Sequence, residues 1–152
     1  MKKKILLFFG LAALVLTVAT AARSPKVTLV SKQFKQVKYI DKRGHIRYKL
    51  KSVDRVVPGD TIVYKNVVSN FETKPLKNLV LNNKVPEHTS YVKHSAKCSS
   101  KCKVLVSVDG GKTFLPEAKI KRGKKVTNVR WILLSSINQN SKAYVSYATK
   151  IK

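Results

Sequence analysis

Turn signals at near-regular spacing constrain the fold of this chain more than any other feature. From residue 26 onward, short segments rich in β-branched and aromatic residues alternate with clusters of Gly, Pro, Asn and Asp. No stretch keeps a helical i, i+3, i+4, i+7 pattern over several turns. Residues 61–70 form the longest expected strand, with Ile62, Tyr64 and Val68 on one face. We therefore expect an all-β chain that folds as a β-sandwich of about seven to nine strands.

The first 21 residues have the three parts of a signal peptide. Lysines occupy positions 2–4, an apolar run covers 5–18, and 19–21 has the small-x-small pattern that signal peptidase reads. We expect cleavage after Ala21 and export to the periplasm, the cell surface or the medium. The apolar run is shorter than the ~20 residues of a membrane span, and an uncleaved N-terminal anchor is the alternative. After cleavage we expect no transmembrane segment.

The charge of the chain narrows the class of partner. The sequence holds 32 Lys and Arg against 7 Asp and Glu, and the balance is +22 without the lysines at 2–4. A protein with this charge attracts polyanions, and the attraction depends strongly on salt. The alternative is that the charge only keeps the protein soluble. Lysine outnumbers arginine 26 to 6, which favours loose attraction over bidentate recognition.

The expected partners are anionic envelope polymers or other surface proteins. The sequence argues against nucleic acid, because it has neither an aromatic RNA-recognition motif nor a helix-turn-helix pattern. Exported proteins also rarely meet nucleic acid as their main ligand. The sequence leaves the oligomeric state open.

The two cysteines, Cys98 and Cys102, predict a disulfide. In an oxidising compartment a close pair usually bonds, and so small a loop contributes less than the usual ~2–4 kcal/mol. We expect it to pin a loop tip. His88 and His94 lie in the same stretch, so a copper(I) or zinc site is the alternative. Because oxidation removes both thiolates and Cys-x₃-Cys is not the common zinc spacing, we expect no metal or other cofactor.

No catalytic motif is present, and we expect no enzyme and no catalytic residues. The sequence lacks a nucleophile elbow, a zinc-protease motif and a phosphate-binding glycine loop. The acidic residues are scattered along the sequence near turn signals, and no two belong to one motif. A catalytic pair of carboxylates that are distant in sequence is the one arrangement that the sequence leaves open. They are Asp41, Asp54, Asp60, Glu72, Glu87, Asp109 and Glu117.

Residues 107–114 resemble an Asp-box, the hairpin that recurs in sialidase-type propellers. Asp109 can accept backbone N–H bonds in the turn, and Gly110 and Gly111 can take positive φ. A propeller needs repeated blades, and this chain is too short for them. The motif therefore indicates a structural hairpin rather than glycosidase activity.

The run from residue 57 resembles a known family. Residues 57–64 and 68–70, then 79–81 and 85–92, occur in the order seen in a bacterial conserved-repeat domain. This Ig-like family, catalogued as domain of unknown function 11, is found in secreted and cell-surface proteins. The resemblance covers 56–151 and is closest to short, single-domain versions.

The resemblance implies an Ig-like antiparallel sandwich with a structural or surface role. Together with the signal-peptide pattern and the β-rich segments before residue 56, it gives three parts: a signal peptide at 1–21, N-terminal strands at 22–55 on or in the sandwich, and the Ig-like domain at 56–152. Pro58, Gly59 and Asp60 form the turn before the long strand. The expected core residues are Ile62, Tyr64, Leu79, Leu81, Val106 and Trp131.

These observations predict an exported, non-catalytic structural or adhesive module of the bacterial cell envelope. Two alternatives stay open: a lysine-rich protein that binds envelope polysaccharide or lipid, and a small metal or redox protein using His88, His94, Cys98 and Cys102. An even scatter of lysines favours the first function, and one contiguous basic face favours the second. Converging histidine and sulfur atoms favour the third.

Overall fold

The computed structural model describes residues 26–152, which form nine β-strands and one short 3₁₀ turn, Glu117–Lys119. The predicted signal peptide and its cleavage site lie outside the described residues. The strands are β1 (Val27–Ile40), β2 (Ile46–Ser52), β3 (Thr61–Asn70), β4 (Val80–Lys84), β5 (Thr89–Tyr91), β6 (Lys97–Cys98), β7 (Cys102–Ser107), β8 (Asn128–Leu133) and β9 (Ser141–Ile151). The all-β prediction is confirmed.

Two antiparallel sheets make up the sandwich. The larger has six strands in the order β2-β1-β3-β9-β5, with β6 also paired to β9, and the smaller has the order β4-β8-β7. The larger sheet is wider than the smaller one, so its β1–β2 side is uncovered. Leu29 of β1 shares a face with buried Val68 and is nevertheless 56% exposed.

The N-terminal strands belong to the larger sheet. β1 pairs with β3 from Val27 to Gln36 and with β2 from Phe34 to Ile40. The described part of the expected segment 22–55, from residue 26 onward, is thus joined to the rest by the ladder between β1 and β3. The last four residues of β1 pair with β2 alone, so the β1–β2 hairpin extends past the end of β3.

The two sheets meet around an aromatic centre. Trp131 of β8 and Tyr147 of β9 are almost fully buried, with ring centroids 5.8 Å apart. Tyr147 also stacks on Tyr64 of β3 at 5.0 Å. Its hydroxyl donates to the Lys84 carbonyl of β4 at 3.1 Å. The Tyr147 side chain therefore contacts both sheets.

The six expected core residues lie in or against this interior. Ile62, Leu81, Val106 and Trp131 are buried, and Tyr64 and Leu79 are half-buried against the core. Each fully buried large apolar side chain contributes ~1.5–3 kcal/mol.

The sequence alone indicates separate strands at 26–32 and 34–40, another near Phe114 and another over 76–81, with 61–70 as the longest. The structure differs from this pattern in several details, and β1, with 14 residues, is longer than β3, with 10. The segments 26–32 and 34–40 are one strand, because nothing at residue 33 breaks extended backbone. The strand expected near Phe114 is reduced to a single bridge between Val106 and Leu115, since Pro116 follows and has no N–H to donate. The apolar run 76–81 contributes only its last residues to β4.

Candidate functional site

The outward face of the larger sheet carries a set of lysines. In β3, Ile62 and Val68 are buried on the inner face, so alternation directs Lys65 outward. Directly opposed residues of antiparallel strands share a face, and the register extends this assignment to β1, β9 and β6. The resulting outer lysine face consists of Lys32, Lys38, Lys65, Lys97, Lys142 and Lys150.

Three of these lysines lie on one rung of the sheet. Lys32 is opposite Lys65, Lys65 is opposite Ser146, and Ser146 is opposite Lys97. Like charges directly opposite each other destabilise a sheet by up to ~1 kcal/mol per pair. The rung therefore carries a repulsion that a bound anion would relieve.

The acidic residues do not offset these charges. All seven lie in turns, loops or the 3₁₀ turn, and none lies in a strand. Those that form ion pairs do so with other cations, as Asp60 does with Lys35 and Glu72 with Lys26. Among residues 26–152, no lysine of the outer lysine face has a carboxylate oxygen within 4.0 Å.

Apolar side chains lie between the lysines. The Nζ atom of Lys65 is 4.1 Å from the centroid of the Tyr144 ring, which is a cation–π contact. Tyr144 is 43% exposed and Val30 is 47% exposed, while Phe34 and Val63 are half-buried. The face thus combines positive charge with apolar area.

A groove of about 480 Å³ crosses this face. Val63 and Ala148 form its floor, β2 forms one wall, and the segment 92–95 forms the other. Its volume falls within the ~300–1,000 Å³ typical of ligand sites. It is lined by Gln36, Tyr48, Leu50, Val63, Val92, Lys93, His94, Ser95, Lys97, Ser146, Tyr147 and Ala148.

Hydrogen bonds hold the 92–95 wall in place. The Glu117 carboxylate accepts the Tyr91 hydroxyl at 3.1 Å and the His94 N–H at 2.9 Å. The Val92 N–H donates to the Ala148 carbonyl of β9 at 2.9 Å. Burial and the neighbouring Glu117 carboxylate raise the pKa of Tyr91 to about 12, so its hydroxyl stays protonated and donates at physiological pH.

The Asp-box segment forms a tight turn away from this face. Asp109 accepts the Ser107 hydroxyl at 2.6 Å, the Thr113 hydroxyl at 2.6 Å and the Thr113 N–H at 2.9 Å. Gly110 and Gly111 have φ of 78° and 91°, which side-chain-bearing residues rarely adopt. These bonds, led by the one from Ser107, hold the pKa of Asp109 well below its usual range. Each contact serves the turn itself.

The 58–60 turn ties the start of β3 to both neighbouring strands. Gly59 has a φ of 92°, and its N–H donates to the Ile151 carbonyl at 2.9 Å. The Lys35 ammonium lies 2.7 Å from the Asp60 carboxylate and lowers the pKa of Asp60.

Cys98 and Cys102 form the predicted disulfide. It closes the three-residue bend at 99–101, and the structure gives that bend a more specific place than a loop tip. Cys98 ends β6 of the larger sheet and Cys102 begins β7 of the smaller sheet. The bond therefore links the edges of the two sheets where the chain crosses between them.

The two histidines do not converge on the sulfur atoms. Residues 26–152 contain no group of three or more His, Cys, Asp or Glu side chains placed to hold a metal. Thr89, next to His88, is opposite Ile151, whereas Cys98 is opposite Val145. These rungs are six residue steps apart along β9, which is about 20 Å.

Sequence reasoning found the excess of lysine but not the outer lysine face. Lys32, Lys65 and Lys97 are more than thirty residues apart in the chain. The available signal was the alternation of side chains along the strand, which places Lys65 on the opposite face from Ile62 and Val68. Bringing the lysines onto one rung depends on long-range register, which alternation does not supply.

Among residues 26–152 there is no helix with the length and apolar character to cross a membrane. Comparison of the chain with protein-family models, curated proteins and solved structures finds no match. The resemblance to the conserved-repeat family stays a prediction.

Proposed function

We propose that this chain is an exported, non-catalytic adhesive module of the bacterial cell envelope that binds anionic polymers on its outer lysine face. The observation that carries the proposal is the set of six lysines on one face of one sheet, with no acidic residue among them. A purely structural module has no need of such a face, because it costs stability through repulsion.

Electrostatics supports a polymer rather than a small anion. Six ammonium groups spread over four strands match a ligand that presents charges at intervals, and binding such a ligand releases its counterions. Lysines are hydrated point charges on flexible stems, so they tolerate variation in the spacing of the ligand's charges. We therefore expect affinity that falls steeply with salt and little selectivity among anionic groups.

The apolar content of the face favours polysaccharide as the polymer. Sugar rings present C–H groups as well as charged substituents, and aromatic side chains give them a flat contact surface. Tyr144 and Tyr48 are both more than two-fifths exposed beside lysines of this face. Carboxylates or phosphates of the polymer would lie over the lysines.

Export is supported by the signal-peptide pattern of 1–21 and by the disulfide, which is typical of oxidising compartments. The N-terminus of the protein recovered from the cell envelope or the medium tests this part of the proposal. Mass spectrometry is expected to give a chain that begins at Ala22. A chain that retains Met1 would contradict it.

Binding to immobilised heparin, used as a model sulfated polysaccharide, tests the binding surface. The variant combines Lys32→Gln, Lys65→Gln and Lys97→Gln. The matched control removes the same charge from exposed lysines outside the larger sheet, with Lys77→Gln, Lys112→Gln and Lys121→Gln. Thermal unfolding of each variant checks that the sandwich is intact.

The first variant is expected to elute at clearly lower salt, and the slope of log affinity against log salt should fall by about 2 to 3. The control is expected to elute close to the unmodified protein. Equal losses in the two variants would contradict the proposal, because net charge rather than this face would then determine binding.

A further inference from the structure

The tip of the β1–β2 hairpin exposes apolar side chains. Ile40 and Ile46 are directly opposed, and they are 69% and 54% exposed. Tyr39, on the adjoining rung, is 41% exposed, and Tyr48, two rungs away, is 60% exposed. Because residues 37–40 pair only with β2, this tip extends about 14 Å beyond β3.

Cations surround the apolar tip. Between residues 38 and 49, the chain carries five Lys and Arg residues and a single acidic residue, Asp41. They are Lys38, Lys42, Arg43, Arg47 and Lys49.

The one carboxylate at the tip is engaged inside the turn. Asp41 Oδ1 accepts the N–H groups of Arg43 and His45, each at 2.9 Å. Its Oδ2 lies 3.1 Å from Arg47 Nε and 3.6 Å from His45 Nδ1. The negative charge is therefore neutralised locally, and the tip presents isoleucine, tyrosine and cations to its surroundings.

We propose that this hairpin tip docks on the surface of an anionic phospholipid bilayer. Ile40 and Ile46 enter the boundary between headgroups and acyl chains, which lies within ~5–10 Å of the surface. Tyr39 and Tyr48 lie at headgroup level, where amphipathic rings are favoured. Lys38, Lys42, Arg43 and Lys49 reach the lipid phosphates, while Arg47 stays paired with Asp41. This binding goes beyond the proposed polymer adhesion, because it uses the apolar end of the hairpin, which shares only Lys38 and Tyr48 with the polymer-binding face.

The chemistry of the tip favours a bilayer over a protein. A stable protein interface uses about 20–30 residues on each side, whereas the exposed apolar tip has four. Pairing the free edge of β2 with the same edge of a second copy would bring two rows of Arg47, Lys49 and Lys51 together, and that repulsion opposes it. The turn backbone is satisfied internally, with Gly44 N–H donating to the Asp41 carbonyl at 3.0 Å.

Tryptophan placed at the tip tests the proposal. The Ile46→Trp variant is mixed with vesicles of equal parts phosphatidylglycerol and bromine-labelled phosphatidylcholine, whose bromine atoms quench indoles within the bilayer. Leu134→Trp is the matched control, since Leu134 is 58% exposed and follows β8 of the smaller sheet. The native Trp131 is fully buried and gives a constant background in both variants.

The indole introduced by Ile46→Trp is expected to shift to shorter wavelength and lose about half its added emission, whereas that of Leu134→Trp stays unquenched. Vesicles of phosphatidylcholine alone should quench neither, because they lack the anionic charge. If the indole of Ile46→Trp is not quenched, or if both variants are quenched equally, the proposal is overturned. This holds even if the protein binds the vesicle through another surface.

A second pair of variants separates this proposal from polymer adhesion. Combined Ile40→Ser and Ile46→Ser should reduce co-sedimentation with the same anionic vesicles by about tenfold and leave heparin elution unchanged. Leu134→Ser should change neither property. If the double variant sediments like the unmodified protein, the tip is not the membrane contact, and the heparin result still decides polymer adhesion on its own.

Discussion

Lys32 of β1 and Lys65 of β3 are directly opposed on the outward face of the larger sheet. Lys97 continues the same rung beyond Ser146, and every acidic residue of the chain lies outside the strands. Part of the excess positive charge therefore lies at directly opposed positions of neighbouring strands, where like charges are close together. Such an arrangement costs stability in the free protein, which is consistent with a surface that binds an anion.

Removing one lysine of this pair should stabilise the free protein while weakening its binding. We expect Lys32→Gln to raise the free energy of unfolding at low ionic strength by up to ~1 kcal/mol, and to lower affinity for heparin. Thermal unfolding at low and high salt measures this, and the gain should vanish at high salt because the charges are screened. Lys112→Gln, in an exposed turn, is the control. A destabilised Lys32→Gln protein at low salt would contradict the expected repulsion.

The buried amide of Asn70 should be essential for stability. Its Nδ2 donates to the carbonyls of Lys74 and Ile137, at 3.0 and 2.8 Å, and its Oδ1 accepts the Glu72 N–H at 2.9 Å. Asn70→Ala leaves these groups without partners, and we expect a loss of ~2–4 kcal/mol in denaturant unfolding. The exposed neighbour Gln139→Ala should change stability by less than ~0.5 kcal/mol. A similar small change for Asn70→Ala would show that water replaces the amide.

Acid should destabilise the protein through carboxylates with lowered pKa, Asp109 among them. The Ser107 and Thr113 hydrogen bonds place the pKa of Asp109 below its value in the unfolded chain, about 3.9. The unfolded state therefore binds a proton first as the pH falls. The contribution present at neutral pH begins to be lost below about pH 5 and decreases progressively until the folded-state carboxyl is itself protonated.

Asp109→Asn removes this linkage. At neutral pH, the Asp109→Asn protein should have a lower midpoint of thermal unfolding than the unmodified protein. Between neutral and acidic pH, its midpoint should decrease by less than that of the unmodified protein. Parallel curves for the two proteins, separated by a constant shift, would contradict the assignment to Asp109.

The disulfide should stabilise a local junction more than the whole fold. The loop that it closes is short, because the cysteines are four positions apart with three residues between them. We therefore expect Cys98→Ser with Cys102→Ser to cost no more than about 2 kcal/mol. Because the bond links β6 to β7, hydrogen exchange should increase most at the β6 edge of β9. Global unfolding of the double variant at room temperature would contradict this account.

The strand Thr61–Asn70 and the turn at 41–44 are predictable from sequence because local chemistry defines them. The 58–60 turn begins the strand, Asn70 ends it, and Asp41 and Gly44 close the hairpin with their own hydrogen bonds. The interior position of Trp131 follows equally from its size and the apolar residues around it.

The candidate site could not be predicted in the same way. β1 lies between β2 and β3, and β9 returns from the far end of the chain to pair with β3. The outer lysine face and the groove depend on these non-local pairings. No property of Lys32, Lys65 or Lys97 in its own segment distinguishes it from the other lysines.

Lysine labelling in the presence of heparin tests the central claim most directly. The protein is treated with an amine-reactive reagent with and without heparin, and mass spectrometry measures modification at each lysine. We predict that heparin protects Lys32, Lys65 and Lys97 several-fold more than Lys77, Lys112 and Lys121. Equal protection at both sets, or stronger protection at the second, would contradict a polyanion-binding function for the outer lysine face.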